Sequence, residues 1–213
     1  MRRPVIPKIN NIQTAFRHGL VRMRLLERLK KLGLGLEPYY LTKVGNFKDP
    51  EPQWESRFSE YETGFVGPEV MKEVASCGEQ LPEVLLLDRL ERGLSCFAIK
   101  HRERIAAYVW CAFEQINDSM YKASLKEKEV HLYNVWTRPE YRGKGIAAFM
   151  MYQCVNALEE KGIANFYTLV NYFNTPSLRF HQKINVRFVK LGLQVSIGSK
   201  YSWNFLLREF RQP

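Results

Sequence analysis

The segment Val135-Trp-Thr-Arg-Pro-Glu-Tyr-Arg-Gly-Lys-Gly-Ile-Ala-Ala148 constrains the fold most, because it joins a strand pattern to a glycine turn and then to a helix. Apolar and β-branched residues end at Arg138-Pro139, glycines follow at 143 and 145, and helical periodicity runs on to about Lys161. Lacking a Cβ, Gly143 and Gly145 reach dihedrals closed to other residues and let the backbone approach a ligand closely. The first turn of the following helix has amide N–H groups without intrahelical partners and carries about half a positive charge. Arg142 and Lys144 add full charges on either side of Gly143. A diphosphate suits that environment, although the same two glycines also serve a plain tight turn.

Two nucleotide motifs fail on spacing. Gly-Lys-Gly-Ile does not supply the G-x-x-x-x-G-K-[ST] of a Walker A loop. Ala148 is tolerated in the third position of a Rossmann fingerprint, but the next strand pattern, Ala164 to Val170, ends in Asn171 without the acidic ribose ligand that fold requires.

With its flanks, the segment resembles motif A of the GNAT superfamily of acyl-CoA N-acyltransferases. The family signature [QR]-x-x-G-x-[GA] is matched by Arg142, Gly145 and Ala147, led in by Pro139-Glu-Tyr-Arg142. Gly162 to Asn171 is similar to the strand that follows, and Asn174-Thr-Pro-Ser-Leu-Arg-Phe-His-Gln-Lys-Ile-Asn185 to the next motif. The resemblance spans roughly residues 56 to 210 and is closest between 129 and 190. It implies an α/β fold, with a mixed, mostly antiparallel β-sheet flanked by helices.

Composition agrees with a globular chain. At 213 residues with 46% hydrophobic content there is enough for one sizeable core. No apolar run reaches the ~18 residues of a membrane span and the N-terminus lacks an apolar signal core, so the expectation is a soluble cytoplasmic protein. Cys77, Cys96, Cys111 and Cys154 have neither zinc-ligand nor disulfide-framework spacing and read as small buried hydrophobes.

The net charge of +10 is concentrated at one end: residues 1 to 31 hold nine basic residues against Glu27 alone. From His18 to Leu32, Val21, Leu25, Leu29 and Leu32 form an apolar stripe, with Arg22, Arg24, Arg28 and Lys31 largely elsewhere on the wheel. Such a helix lies on an anionic membrane, binds an acidic partner, or packs on the core or on a second subunit; no motif supports nucleic-acid binding. The expected division is therefore an N-terminal basic amphipathic helix and extension, residues 1 to 55, followed by an acetyltransferase domain, residues 56 to 213.

Further patterns predict a strand within Glu37 to Val44 and a linker from Gly45 to Trp54. A strand from about Arg57 to Val66, helices from Gly67 and over Leu81 to Arg92, and a hairpin of Ser95 to Lys100 with Ile105 to Phe113 follow. A polar loop of Gln115 to Lys128 precedes a strand over Glu129 to Thr137, and Arg187 to Ser196 with Tyr201 to Leu207 form a terminal hairpin.

Strict alternation along Glu129 to Thr137 places Glu129, His131, Tyr133 and Val135 on one face. An acyl-CoA and an amine react directly once both are held in line. The amine must lose a proton and the leaving thiolate gain one. By resemblance Glu129 falls where some members carry a general base acting through water; His131 on the same face is an alternative or a relay, with Glu114 in reserve. His181 stands where many members have the general-acid tyrosine, and Asn185-Val186 replaces the usual Gly-Phe. The resemblance further implies that the amides of Arg142, Gly143, Lys144, Gly145, Ile146 and Ala147 hold the pyrophosphate of acetyl-CoA as cosubstrate. Val135 and Thr137 would pair with the pantetheine arm, Asn174 would contact CoA, and Lys144 and Lys183 would meet the nucleotide phosphate. No metal is implied. The expected function is acetyl transfer to a primary amine of a small molecule, with a protein acceptor or a non-catalytic acyl-CoA-binding module as alternatives. A homodimer and a peripheral membrane contact through residues 18 to 32 complete the expectations.

Overall fold

The computed structural model describes residues 20–45, 54–79, 81–198 and 200–211. In chain order its elements are α1 (Leu20–Lys31), β1 (Leu34–Val44), α2 (Trp54–Arg57), β2 (Tyr61–Val66), α3 (Met71–Val74), α4 (Glu83–Glu91), β3 (Ser95–His101) and β4 (Arg104–Ala112). There follow β5 (Gln115–Asn117), β6 (Lys122–Ser124), β7 (Glu129–Thr137), α5 (Ile146–Glu159), β8 (Asn165–Asn171), α6 (Thr175–Lys183), β9 (Val186–Ile197) and β10 (Tyr201–Glu209). Eight strands form one sheet in the order β10-β9-β1-β8-β7-β4-β3-β2, and β5 pairs with β6 apart from it. All described pairs are antiparallel except β7 with β8.

Each face of the sheet has its own core. On one, α5 buries Ile146, Phe149, Met150, Cys154 and Leu158, at the three- and four-residue spacing of one helix face, against β4, β7 and β8. On the other, Val70, Met71, Val74 and Leu86 cover Tyr108 and Trp110 of β4. Cys111 and Cys154 face each other across the first core at 3.8 Å between sulfurs, and all four cysteines are free thiols. Residues 57 to 60, expected as strand, do not extend. Trp54 and Phe58, one helical turn apart, bury themselves on Phe149, so the chain turns before β2.

The β-rich run of the extension is longer than expected and lies inside the sheet, between β8 and β9. Pro38, which has no N–H to give a ladder, is accommodated because pairing with β8 begins only at Tyr39. The sheet therefore crosses the division expected at residue 55. The basic helix is found as α1, although His18 and Gly19 at its expected start, the arginines and lysine further upstream, and linker residues 46–53 lie outside the described residues. Among the described residues no helix is long and apolar enough to cross a membrane.

Two irregularities of β7 shape the site. It pairs with β8 only over Glu129, Val130 and His131, opposite Asn165, Phe166 and Tyr167; beyond these the strands diverge. At Asn134 the backbone turns to a φ of 50° and the register with β4 shifts. That bulge corrects the expected alternation: Tyr133 and Trp136 share the Trp110 side, while Leu132 and Val135 pack on the α5 side.

Candidate active site

The divergence of β7 and β8 opens a cleft of about 640 Å³ with the glycine turn at one end. Gly143 has a φ of 76°, and Gly145, which caps α5, has φ 86° and ψ −5°. A Cβ on Gly143 would meet nothing within 4 Å, and one on Gly145 only the Phe58 ring at 3.8 Å. Left-handed dihedrals, not crowding, therefore demand glycine at both positions, and the space in front of Gly143 stays open. The first amides of α5 border that space without helical partners. These features fit a diphosphate.

Of the residues expected to hold the donor, Val135, Thr137, Arg142, Gly143, Gly145, Ile146, Ala147 and Asn174 all line this cleft, as does Lys183. Lys144 is not on its wall; its ammonium lies 5.7 Å from the centre of the Tyr141 ring. The Arg142 side chain is turned back, its Nε donating to the Thr137 carbonyl at 3.0 Å. Asn174 caps α6, its Oδ1 accepting the Ser177 amide at 3.2 Å. A brace not foreseen from sequence is Arg138, which donates to the Ile105 carbonyl at 2.8 Å and to Glu73 at 3.0 Å. It pins the end of β7, and no local pattern links it to a carboxylate 65 residues earlier.

On the other face of the sheet a second cavity of about 740 Å³ lies under α4 and the loop leading into β5. Tyr133 walls both cavities, so the two meet at the point where β7 leaves β8. His131 lines the second cavity, 3% exposed and stacked on Tyr133 with ring centres 5.3 Å apart. Its Nε2 is buried and has no hydrogen-bond partner among the described residues. Burial pushes its pKa from 6.5 down to about 4, so the ring is neutral at pH 7. Glu114 and Asp118 also stand on this wall.

Glu129 reaches neither cavity wall. One of its oxygens accepts from the Tyr167 hydroxyl at 3.3 Å and the other from the Lys126 amide at 2.9 Å. His181, although it lines the 640 Å³ cleft, has both ring nitrogens engaged: Nδ1 donates to the Ser177 carbonyl at 2.7 Å, and Nε2 accepts from Thr168 Oγ1 at 2.9 Å. Thr168 in turn meets Thr42 of β1 at 2.6 Å. Burial lowers the His181 pKa, opposed by the Ser177 bond, so the imidazolium form is disfavoured. The geometry ties α6 to β8 and β1 and aims no His181 proton into the cleft. Among the described residues no cluster of three metal-ligating side chains occurs.

A sheet split at its one parallel pair, with a glycine turn at the head of the split, is an acetyltransferase fold. A putative GNAT-family acetyltransferase from Novosphingobium aromaticivorans superposes with a TM-score of 0.53 at 15% identity, covering 79% of this chain and 69% of that one. A Drosophila protein gives 0.54 at 11% identity, covering 84% and 58%. The PaiA N-acetyltransferase of Thermoplasma acidophilum, solved with coenzyme A, gives 0.47 at 13%, covering 58% and 87%. A search of curated protein sequences finds no match. The model of the acetyltransferase (GNAT) family matches residues 54–185, more than half of the chain, and the chain belongs to that family of enzymes.

Proposed function

We propose that the protein transfers the acetyl group of acetyl-CoA to a primary amine of a small molecule by direct attack in a ternary complex. The observation that carries this reading is the meeting of the two cavities at Tyr133. The 640 Å³ cleft takes the donor, with its diphosphate at Gly143 to Ala147 and its pantetheine arm along the edge of β7 that β8 leaves unpaired. The 740 Å³ cavity takes the acceptor, a size suited to one small molecule. Acetyl-CoA supplies an activated acyl thioester; the chain supplies alignment and proton handling.

Glu114 and Asp118 stand on the cavity wall with Arg89 and Arg92; an acceptor that arrives as its ammonium form releases one proton to solvent there, and the amine attacks as its neutral form. Once the N–C bond forms, the nitrogen is far more acidic than the free ammonium, so a base as weak as His131 suffices to take its proton at Nε2. His131 then returns that proton to solvent through the cavity it lines. The departing thiolate is protonated from solvent, and His181 serves to hold α6 in place.

The test is CoA thiol release from acetyl-CoA across a panel of small primary amines, with peptide N-termini and lysine peptides as the second arm. Release with a small amine, lost in His131→Phe while acetyl-CoA binding is kept, supports the reading. Binding without release for every acceptor refutes it in favour of a binding module.

A further inference from the structure

The strands β1, β9 and β10 build an apolar grid. Their register sets Leu34, Ile197 and Tyr201 in one row, and Leu36, Val195 and Trp203 in the next. Pro38, Leu193 and Phe205 form the third. Directly paired residues of neighbouring antiparallel strands point to the same side, so the rows make one continuous face. It is open: Tyr201, Trp203 and Phe205 are 60%, 46% and 50% exposed and Ile197 53%. On the opposite face the alternate residues behind the first two rows are polar, Ser196 beside Ser202 and Gln194 beside Asn204, with Gly192 beside Leu206 behind the third. On that face Gly35, Tyr39, Gly192 and Gln194 are buried, and only the β10 positions stay exposed. Lys30 of α1 reaches Glu37 at 2.7 Å there, and Asn204 donates to the Met120 carbonyl at 2.6 Å. A chain that met only water here would show the reverse polarity.

We propose that the grid is the interface of a homodimer in which two copies stack sheet face on sheet face about a two-fold axis. Sheets pack in this way at about 10 Å through interleaved apolar side chains. The area is sufficient. Three rings, each baring about half of ~150–250 Å², together with Ile197 and Leu34, offer ~450 Å² per copy. With the half-buried remainder of the grid, the pair reaches the ~1,000 Å² expected of a specific interface. Charge also selects the occupant. The grid contains no charged side chain, so the +8 of residues 1 to 31 finds no acidic counterpart on it, whereas a second copy needs none. From Tyr201 to Leu207 the edge strand has neither charge nor proline, the usual guards of a strand that stays solvated.

Light scattering coupled to size exclusion, over roughly 1 to 100 µM of the 213-residue chain, tests this. The expected result is twice the chain mass at the upper concentrations. Trp203→Glu, which puts a charge at the edge-strand end of the middle row, should run as a monomer throughout with unchanged circular dichroism. A wild-type monomer at every concentration overturns the proposal, as does a dimer that Trp203→Glu leaves intact. Two further outcomes also overturn it. One is a dimer formed only after deletion of residues 1–19, which would make that segment the occupant. The other is a monomer that floats with liposomes of mixed anionic and zwitterionic lipid unless Trp203 is changed, which would make the occupant a lipid surface.

Discussion

Replacing His131 by Phe should make the protein more acid-stable while disabling it. The ring keeps its stacking on Tyr133, and the buried Nε2 without a partner disappears. At pH 8 the imidazole is neutral both folded and unfolded, so wild type and variant should differ by no more than about 1 kcal/mol. In the folded state the group protonates only near pH 4, against 6.5 when unfolded, so below 6.5 the unfolded chain binds the extra proton and the fold loses stability as pH falls. The loss integrates to about 2 kcal/mol by pH 5 and about 3 kcal/mol once pH is below 4. Urea midpoints measured at pH 8 and 5 should therefore converge at the first and separate at the second, with the variant ahead. At pH 7 the variant's turnover should fall by about 100-fold, the scale of a lost proton acceptor. Parallel pH profiles for the two proteins would refute the reasoning, because they would mean that the folded imidazole protonates as freely as the unfolded one.

Gly143→Val forces a β-branched residue to a φ of 76° and fills the open space before the α5 amides. Acetyl-CoA affinity by calorimetry should drop more than ~10-fold, with about 1–2 kcal/mol of stability lost to backbone strain. Thr168→Val keeps shape but strips the hydroxyl that His181 and Thr42 share; two buried partners are left behind and urea unfolding should report about 2–3 kcal/mol. His181→Phe, in contrast, should lower stability with little change in the pH dependence of turnover, because the imidazole is a clamp; a lost alkaline limb in that profile would restore it as the proton donor.

The parts of this molecule that local chemistry dictates were legible from sequence. The Glu129–Thr137 strand, the glycine turn and the stripe of α5 each follow from periodicity and backbone permission within a few residues, and the structure places them accordingly. The roles of the histidines were not legible in the same way. A lone His131 reads as base or structural residue until the fold shows its Nε2 buried beside Tyr133. His181 reads equally as an acid or as a structural substitute until Thr168 and Ser177, reached only through the packing of α6 on β8, are seen to occupy both nitrogens.

The limit is sharpest in β1 and at Asn134. Glu37 to Val44 announces a strand by composition, yet its place between β8 and β9 depends on partners more than a hundred residues away, which no window of sequence contains. The insertion has a structural consequence. It pushes β9 and β10 one strand further from the cleft and leaves the apolar side of that hairpin at the edge of the sheet, where α5 cannot cover it. The bulge acts in the opposite sense, locally and at the site itself. By turning Val135 to the α5 side it keeps Tyr133 alone at the junction of the two cavities, whereas strict alternation would have put both on the acceptor side. An extra backbone residue at that junction also interrupts the ladder with β4, as a bulge does. One irregular residue thus sets the boundary between the cavity proposed for the donor and the one proposed for the acceptor.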